Sequence, residues 1–405
     1  MSELTLTVST EGVISPQGFL AGAVSAGIRG RSDGRPDLAL LYSERPCSAA
    51  ALFTASTLKA APVLLSQRHL ADGGAQAVIV NSGCANAYVG DQGRRDAEEM
   101  ARLAASKLRL TVSDVVVAST GVTGHLMPME KIRAALPTIA LDREGGEQFA
   151  RAIMTTDTVP KQASVAFSVG EREYRVGGCA KGAGMIHPNL ATMLAFLTTD
   201  APVEGAFLQR ALREAADASF NMVSVDGDTS PSDTLLIMAN GAAGGPMIGE
   251  GDEGAPLFRE AVETVCVALA KGLARDAEGA TKLIEVEVEG ALTPTDARAA
   301  ARTVAGSPLV KSAVYGNDPN WGRVLAAVAR SGATAKEETV SLFWQGMCVF
   351  ERGRPVPYDK DALSAATNEP EVRIRVDLGM GRAAAVAWGC DLTEEYVRIN
   401  AEYTT

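Results

Sequence analysis

AQAVIVNSG (residues 75–83), DQGRRDAEEMARLAASKL (91–108) and DVVVASTG (114–121) follow one another in the first third of the chain. The first and last are short apolar runs closed by Ser/Gly turns. A run without polar alternation belongs to a strand buried on both faces. The middle segment places Met100, Leu103, Ala104 and Leu108 on one helical face. Strand, helix, strand in this order predicts an α/β fold with mixed sheets and packed helices.

Outward from this unit the pattern changes by region. FLQRALREAADASF (207–220) reads as an amphipathic helix, and LFREAVETVCVALAKGLARDAEG (257–279) as a longer one with Val262, Val265, Leu269 and Leu273 on a single stripe. The glycine- and acid-rich segment 240–256 between them reads as a solvent loop. In the last third, LIEVEVEG (283–290) and EVRIRVDLG (371–379) alternate strictly, with Ile284, Val286 and Val288 inward. One wet face suggests antiparallel strands in this part.

The totals narrow the class. With 405 residues and 46% apolar composition, the chain can bury a sizeable core. Its net charge of −11, without a Lys/Arg cluster, argues against nucleic acid and anionic membranes as partners. No apolar run is long enough to span a bilayer. The start MSELTLTVSTEG lacks the basic and apolar parts of a signal peptide, so a cytoplasmic location is expected. Six scattered cysteines read as reduced thiols rather than a disulfide framework, and no metal site is expected. Only three histidines are present, which is few for an enzyme whose base would be histidine. GAGMIH (182–187) lacks the third glycine of a dinucleotide fingerprint, and SVDGDTSPSD (224–233) puts Pro231 where a calcium loop needs glycine, so an Asx-turn loop is expected there.

KGAGMIHPNLATMLAFLTTDA (181–201) carries the sharpest chemical signal. Thr192 stands inside an apolar run, after a glycine-loosened loop and the small Ala191. It reads either as a threonine that packs or as a nucleophile. In the second reading, attack on the Ala191 carbonyl converts the peptide bond to an ester that hydrolyses. Thr192 then gains a free α-amino group with a pKa of about 7.7–8.0, fit to take the hydroxyl proton. Histidine is not needed for such a base. Thr120 and Gly121, at the end of a buried strand, can supply a hydroxyl and a backbone N–H to an oxyanion, or form an ordinary turn. Lys181 suits a carboxylate and Glu278 an ammonium group, although both residue types are commonly just solvated. Thr155 is equally a helix cap.

STGVTG (119–124), AIMTTDTVPK (152–161), KGAGMIHPNLATML (181–194), DGDTSPSDT (226–234), DAEGATK (276–282), GNDPNWGRVLAA (316–327) and NAEYTT (400–405) occur in one order over nearly the whole chain. Together they resemble the ornithine acetyltransferase family, glutamate N-acetyltransferases of arginine biosynthesis. The resemblance implies an α/β protein self-cleaved between Ala191 and Thr192 into two intertwined chains, 1–191 and 192–405. It implies ping-pong transfer of acetyl from N-acetylornithine to glutamate through an acetyl-Thr192 ester. It also implies Thr120 and Gly121 as the oxyanion pair. Substrate contacts would come from Thr155, Lys181, Thr192, Glu278, Asn400 and Thr405. A dimer of αβ units and no cofactor are expected, with acetyl-CoA the one further co-substrate in view. Two other readings stand beside it: a self-processing amidohydrolase or aminopeptidase that sends the acyl group to water, and a non-catalytic metabolite-binding protein in which Thr192 merely packs.

Overall fold

A computed structural model describes residues 4–7, 11–30, 34–187 and 193–402. Ala191, Thr192, Thr404 and Thr405 lie outside the described residues.

The valine-rich runs form strands, as their composition dictates. Val78, Ile79 and Val80, like Val115 and Val116, are fully buried. Among the described residues one sheet has nine strands: β1 Leu4–Thr7, β2 Phe19–Val24, β3 Leu38–Phe53, β4 Gly74–Asn81, β5 Val115–Ser119, β6 Lys161–Val169, β7 Arg172–Lys181, β8 Leu194–Thr199 and β9 Thr234–Ala239. Their order is β1-β6-β7-β8-β9-β3-β4-β5, and β2 also pairs with β3. β4 and β5 run parallel, joined by the helix Gly90–Leu108, and β8 and β9 are parallel too. The remaining pairs are antiparallel. Met100 and Ala104 of that helix are buried against Val115 and Val117, with Leu103 and Leu108 packed at the margin.

This strand order interleaves the two halves of the chain. β8 and β9, which come after residue 192, are hydrogen-bonded between β7 and β3, which come before it. The two stretches of chain therefore share one sheet. The helices Gly205–Ala218 and Ala255–Arg275 lie against each other, and the second packs on β6 and β7. Val262, Val265, Leu269 and Leu273 are all buried, each worth about 1.5–3 kcal/mol as an upper figure. The same apolar cluster continues into the C-terminal third.

That third forms a six-stranded sheet from β10 Leu283–Ala291, β11 Ser341–Trp344, β12 Met347–Glu351, β13 Arg354–Pro355, β14 Glu371–Asp377 and β15 Ala383–Cys390. Its pairings are antiparallel, as alternation suggests, except one. β10 and β14 run parallel, with Val286 opposite Ile374. Each strand keeps one apolar face on the core whichever way its neighbour runs, so alternation is silent about direction. Among the described residues no helix is long and apolar enough to cross a membrane, and no group of three His, Cys, Asp or Glu side chains is placed to hold a metal. All six cysteines are free.

Candidate active site

Strand ends converge on one cleft. Thr120 follows the last residue of β5, Lys181 is the last residue of β7, Met193 precedes β8, and Ser232 and Asp233 precede β9. The cleft holds about 600 Å³ of open space and is lined by Thr120, Gly121, Thr155, Lys181, Glu278 and Asn400, together with Ser230, Pro231 and Ser232. Residues as distant in sequence as Thr120 and Asn400 thus face one space, and six of the positions named from the sequence are among them.

The backbone at Gly121 has a reason to be glycine. Its φ is +124°, and a Cβ there would lie 2.4 Å from the Gly83 carbonyl carbon. A side chain fits neither the conformation nor the space. The absence of one lets the chain pass close to the Gly83–Cys84 backbone and places Gly121 on the cleft wall beside Thr120, whose own N–H is bound to the Asn81 carbonyl at 3.0 Å.

Lys181 is buried, and its ammonium donates to Thr120 Oγ1 at 3.3 Å. That contact occupies a lone pair of the hydroxyl and leaves its hydrogen free for another acceptor. Burial lowers the Lys181 pKa, Asp157 opposes that, Lys161 adds to it, and Asp233 and Glu278 oppose it.

Beneath the cleft lies a charged network that composition and spacing do not reveal. Lys161 Nζ bridges Asp157 and Asp276, 2.6 Å from each, with all three side chains nearly or fully buried. Asp157 also accepts the N–H of Gly182 at 2.7 Å and of Thr155 at 2.9 Å. It therefore fixes the backbone on both sides of the cleft. Burial pushes its carboxyl pKa upward, but Lys161 and Lys181, with the hydrogen bonds from Lys161 and Gly182, hold it well below the usual carboxylate range. Asp276 caps the C-terminal end of the helix Ala255–Arg275, an unfavourable place for negative charge. Its partners there are Lys161, the Thr158 N–H at 3.0 Å and the Thr158 hydroxyl.

Glu278 is half-buried and reaches across Gly184, where a Cβ would come within 2.5 Å of its carboxylate. Asn400 Nδ2 donates to Glu278 Oε2 at 2.8 Å. The C-terminal helix Glu394–Glu402 thus folds back over the site, as a role for the tail requires. Tyr396 of that helix donates to Asp226 Oδ2 at 3.3 Å. Asp226 accepts the N–H groups of Met185 and Ile186, at 2.6 and 3.0 Å, and of Asp228 at 3.2 Å. The expected Asx turn is present, and it also clasps the loop after Lys181. Burial raises the Asp226 pKa against those three backbone donors and the Tyr396 hydroxyl.

Thr155 lies in the turn after the helix Gly146–Ala152 and lines the cleft rather than capping a helix start. Met193 N–H donates to Asp233 Oδ1 at 2.9 Å, so a buried carboxylate anchors the residue that follows Thr192 in sequence. Asp157, Lys161, Ser232 and Asp233 are not legible as site residues in the sequence. The sole hint is their presence within the motifs AIMTTDTVPK and DGDTSPSDT.

Fold and cleft together define a mixed α/β protein with a small polar site suited to ligands bearing carboxylate and amine groups. A family model described as the ArgJ family matches residues 20–405. The arginine biosynthesis bifunctional protein ArgJ of Symbiobacterium thermophilum is 51% identical over 396 residues, 97% of this chain and 98% of the relative. That of Dehalococcoides mccartyi is 49% identical over 393 residues, 97% of each. A crystal structure of the arginine biosynthesis bifunctional protein argJ from Bacillus halodurans is 41% identical, covers 51% of this chain and 98% of its own, and superposes with a TM-score of 0.50. The chain belongs to the ArgJ family.

Proposed function

We propose that the chain transfers an acetyl group from N-acetylornithine to glutamate, releasing ornithine and forming N-acetylglutamate. The observation that carries this reading is the convergence of Thr120, Gly121, Lys181, Glu278 and Asn400 on one cleft at the strand ends, in a member of a family whose relatives are named for arginine biosynthesis.

The mechanism follows from the groups present. The chain is cut before Thr192, whose hydroxyl becomes the nucleophile and whose α-amine becomes its base. Thr192 Oγ attacks the acetyl carbonyl while its proton passes to the amine. The oxyanion is met by the Thr120 hydroxyl and the Gly121 N–H, with the Lys181 charge 3.3 Å behind Thr120. The C–N bond breaks, the proton goes to the leaving amine of ornithine, and an acetyl-threonine ester remains. The amine of glutamate then attacks that ester and the proton returns by the same route. Glu278 and Asn400 receive the ammonium end of ornithine, and Lys181 and Thr155 the carboxylate; Thr405 belongs to the same set of substrate contacts by the family resemblance alone.

The interleaving of β8 and β9 with β7 and β3 supports the two-chain form: fragments 1–191 and 192–405 would stay joined by the ladders of a shared sheet. The Bacillus halodurans chain, about half as long as this one and matched over nearly all its length, is in keeping with a relative present as two chains. Assembly as a dimer of αβ units, a cytoplasmic location and acetyl-CoA as a second donor belong to the same proposal.

The test is direct. Purified protein mixed with N-acetylornithine and glutamate forms N-acetylglutamate without acetyl-CoA, and a parallel reaction with acetyl-CoA alone as donor reads the second activity. Free acetate formed at the same rate with and without glutamate would favour a hydrolase instead.

A further inference from the structure

We propose that Tyr396 is a positioning residue: its hydroxyl fixes the C-terminal helix so that Asn400 and Glu278 together receive the ammonium group of ornithine. The proposal rests on the acetyl-transfer reading and deepens it by naming what sets the donor's side-chain specificity. Tyr396 touches no reacting atom.

The helix Glu394–Glu402 has no apolar anchor. None of its residues is buried, and Val397 is 64% exposed. Short helices draw most of their stability from packing, so this one depends on polar contacts. Its start is tied down. Thr393 Oγ1 donates to the Gly279 carbonyl at 2.7 Å, and the Tyr315 hydroxyl donates to Glu394 Oε2 at 2.6 Å. Gly279 has φ +69°, and a Cβ there would lie 2.5 Å from Tyr396 N, so the helix rests directly on the residue after Glu278. Further along, Arg398 pairs with Glu395 and Glu402 of the same helix, which anchors it to nothing else.

The hold on the middle of the helix is Tyr396, which donates to Asp226 Oδ2 at 3.3 Å. Asp226 is a firm anchor, because it also accepts three backbone N–H groups, from Met185, Ile186 and Asp228. Burial first, then the charge of Asp226 and the hydrogen bond to it, with Glu278 adding, push the Tyr396 hydroxyl pKa upward. The hydroxyl therefore keeps its proton and acts as a donor.

From Tyr396 the hold passes to Asn400. Asn400 Nδ2 donates to the Tyr396 carbonyl at 3.0 Å and to Glu278 Oε2 at 2.8 Å. Both amide hydrogens are then engaged, and Asn400 Oδ1 is left as an acceptor. Asn400 and Glu278 both line the cleft. One neutral and one charged acceptor side by side suit an ammonium group, which has three N–H donors and no acceptor. Without the Tyr396 hydroxyl the helix is free to shift, and Asn400 no longer holds the Glu278 carboxylate in place.

The experiment uses Tyr396→Phe, which removes one oxygen and keeps the ring, together with Asn400→Ala and the double variant. N-acetylornithine is varied at saturating glutamate, and inhibition by added ornithine is measured alongside. In Tyr396→Phe the KM for N-acetylornithine and the inhibition constant of ornithine both rise, roughly tenfold, the scale of one lost hydrogen bond to a charged group, while kcat stays within about twofold. The double variant binds ornithine about as poorly as Asn400→Ala alone, because Tyr396 acts through Asn400. An unchanged KM, or a raised KM with an unchanged inhibition constant, overturns the proposal. So does a fall in kcat as large as the rise in KM, which a merely structural role would produce. Losses that add in the double variant overturn it as well. Wild-type protein inert toward N-acetylornithine overturns the acetyl-transfer reading and this proposal with it, whereas active wild type with an unaltered Tyr396→Phe variant overturns this proposal alone.

Discussion

The C-terminal sheet and the cleft treat charge in opposite ways. Along β10 and β14 the glutamates and arginines sit on the polar face, where they pair with each other and with Lys271 and Arg275 of the helix Ala255–Arg275. Arg375 meets Glu289, Arg275 meets Glu371, and Lys271 Nζ lies 2.8 Å from Glu285 Oε2. Val286, Val288, Ile374 and Val376 fill the other face. Within β10 and β14 the paired charged side chains all keep part of their surface in water. At the cleft, Lys161, Lys181, Asp157 and Asp233 are all buried. Exposed pairs are worth about 0–1 kcal/mol each, whereas buried charges carry a desolvation cost of several kcal/mol per ion. Lys282, Lys311 and Asp391, at the ends of the C-terminal sheet, are buried as well, so what sets the cleft apart is a buried cation, Lys181, that also lines an open space.

Substitutions put this contrast under strain. The largest effect is expected at Thr192, the proposed nucleophile. Thr192→Ala abolishes both chain cleavage and acetyl transfer, and Thr192→Ser keeps part of each; gel mobility and the N-acetylglutamate assay read the two. If Thr192→Ala left both intact, the cleft would have no claim to covalent chemistry. Next comes Lys161→Met, which leaves Asp157 and Asp276 facing each other without their shared cation. A loss of about 3–5 kcal/mol in urea unfolding is expected. A loss as small as that of a surface pair would erase the contrast.

Acid titration probes the same network more gently. The folded Asp157 pKa is depressed below an unfolded value of about 3.9. Its contribution to stability is therefore complete above that value and is lost as pH falls through the lower, folded one. Thermal unfolding of the wild type should weaken steeply below about pH 4. Asp157→Asn, already destabilised at neutral pH, should show a shallower acid slope, and an identical slope would exclude Asp157 as a source of the acid sensitivity. The smallest effect belongs to the other region: Glu289→Gln, which weakens an exposed pair with Arg375, should change stability by less than about 1 kcal/mol and leave transfer unaltered.

The sequence discloses only those features that local pattern can encode. The β4–helix–β5 unit is legible because burial on both faces leaves uninterrupted valine, and the stripe of Val262, Val265, Leu269 and Leu273 because a helix repeats its face. The parallel pairing of β10 with β14 is not, since Val286 and Ile374 alternate alike in either direction. Thr120, Gly121, Thr155, Lys181, Glu278 and Asn400 are named by motifs of a resembling family, and physical chemistry alone leaves each open. The Lys161 bridge is hidden because Asp157 and Asp276 lie 4 and 115 residues from it, and a charge carries no mark of its distant partner.

The central claim is that the Thr192 hydroxyl cuts the chain and then carries the acetyl group. Intact-mass spectrometry of active protein, before and after N-acetylornithine, puts both halves of it to the test. Two chains are expected, 1–191 and 192–405, with the second gaining the mass of one acetyl group when the donor is added and losing it when glutamate is supplied. A single unbroken chain in fully active material, or an acetyl group carried on the first fragment, would contradict the claim.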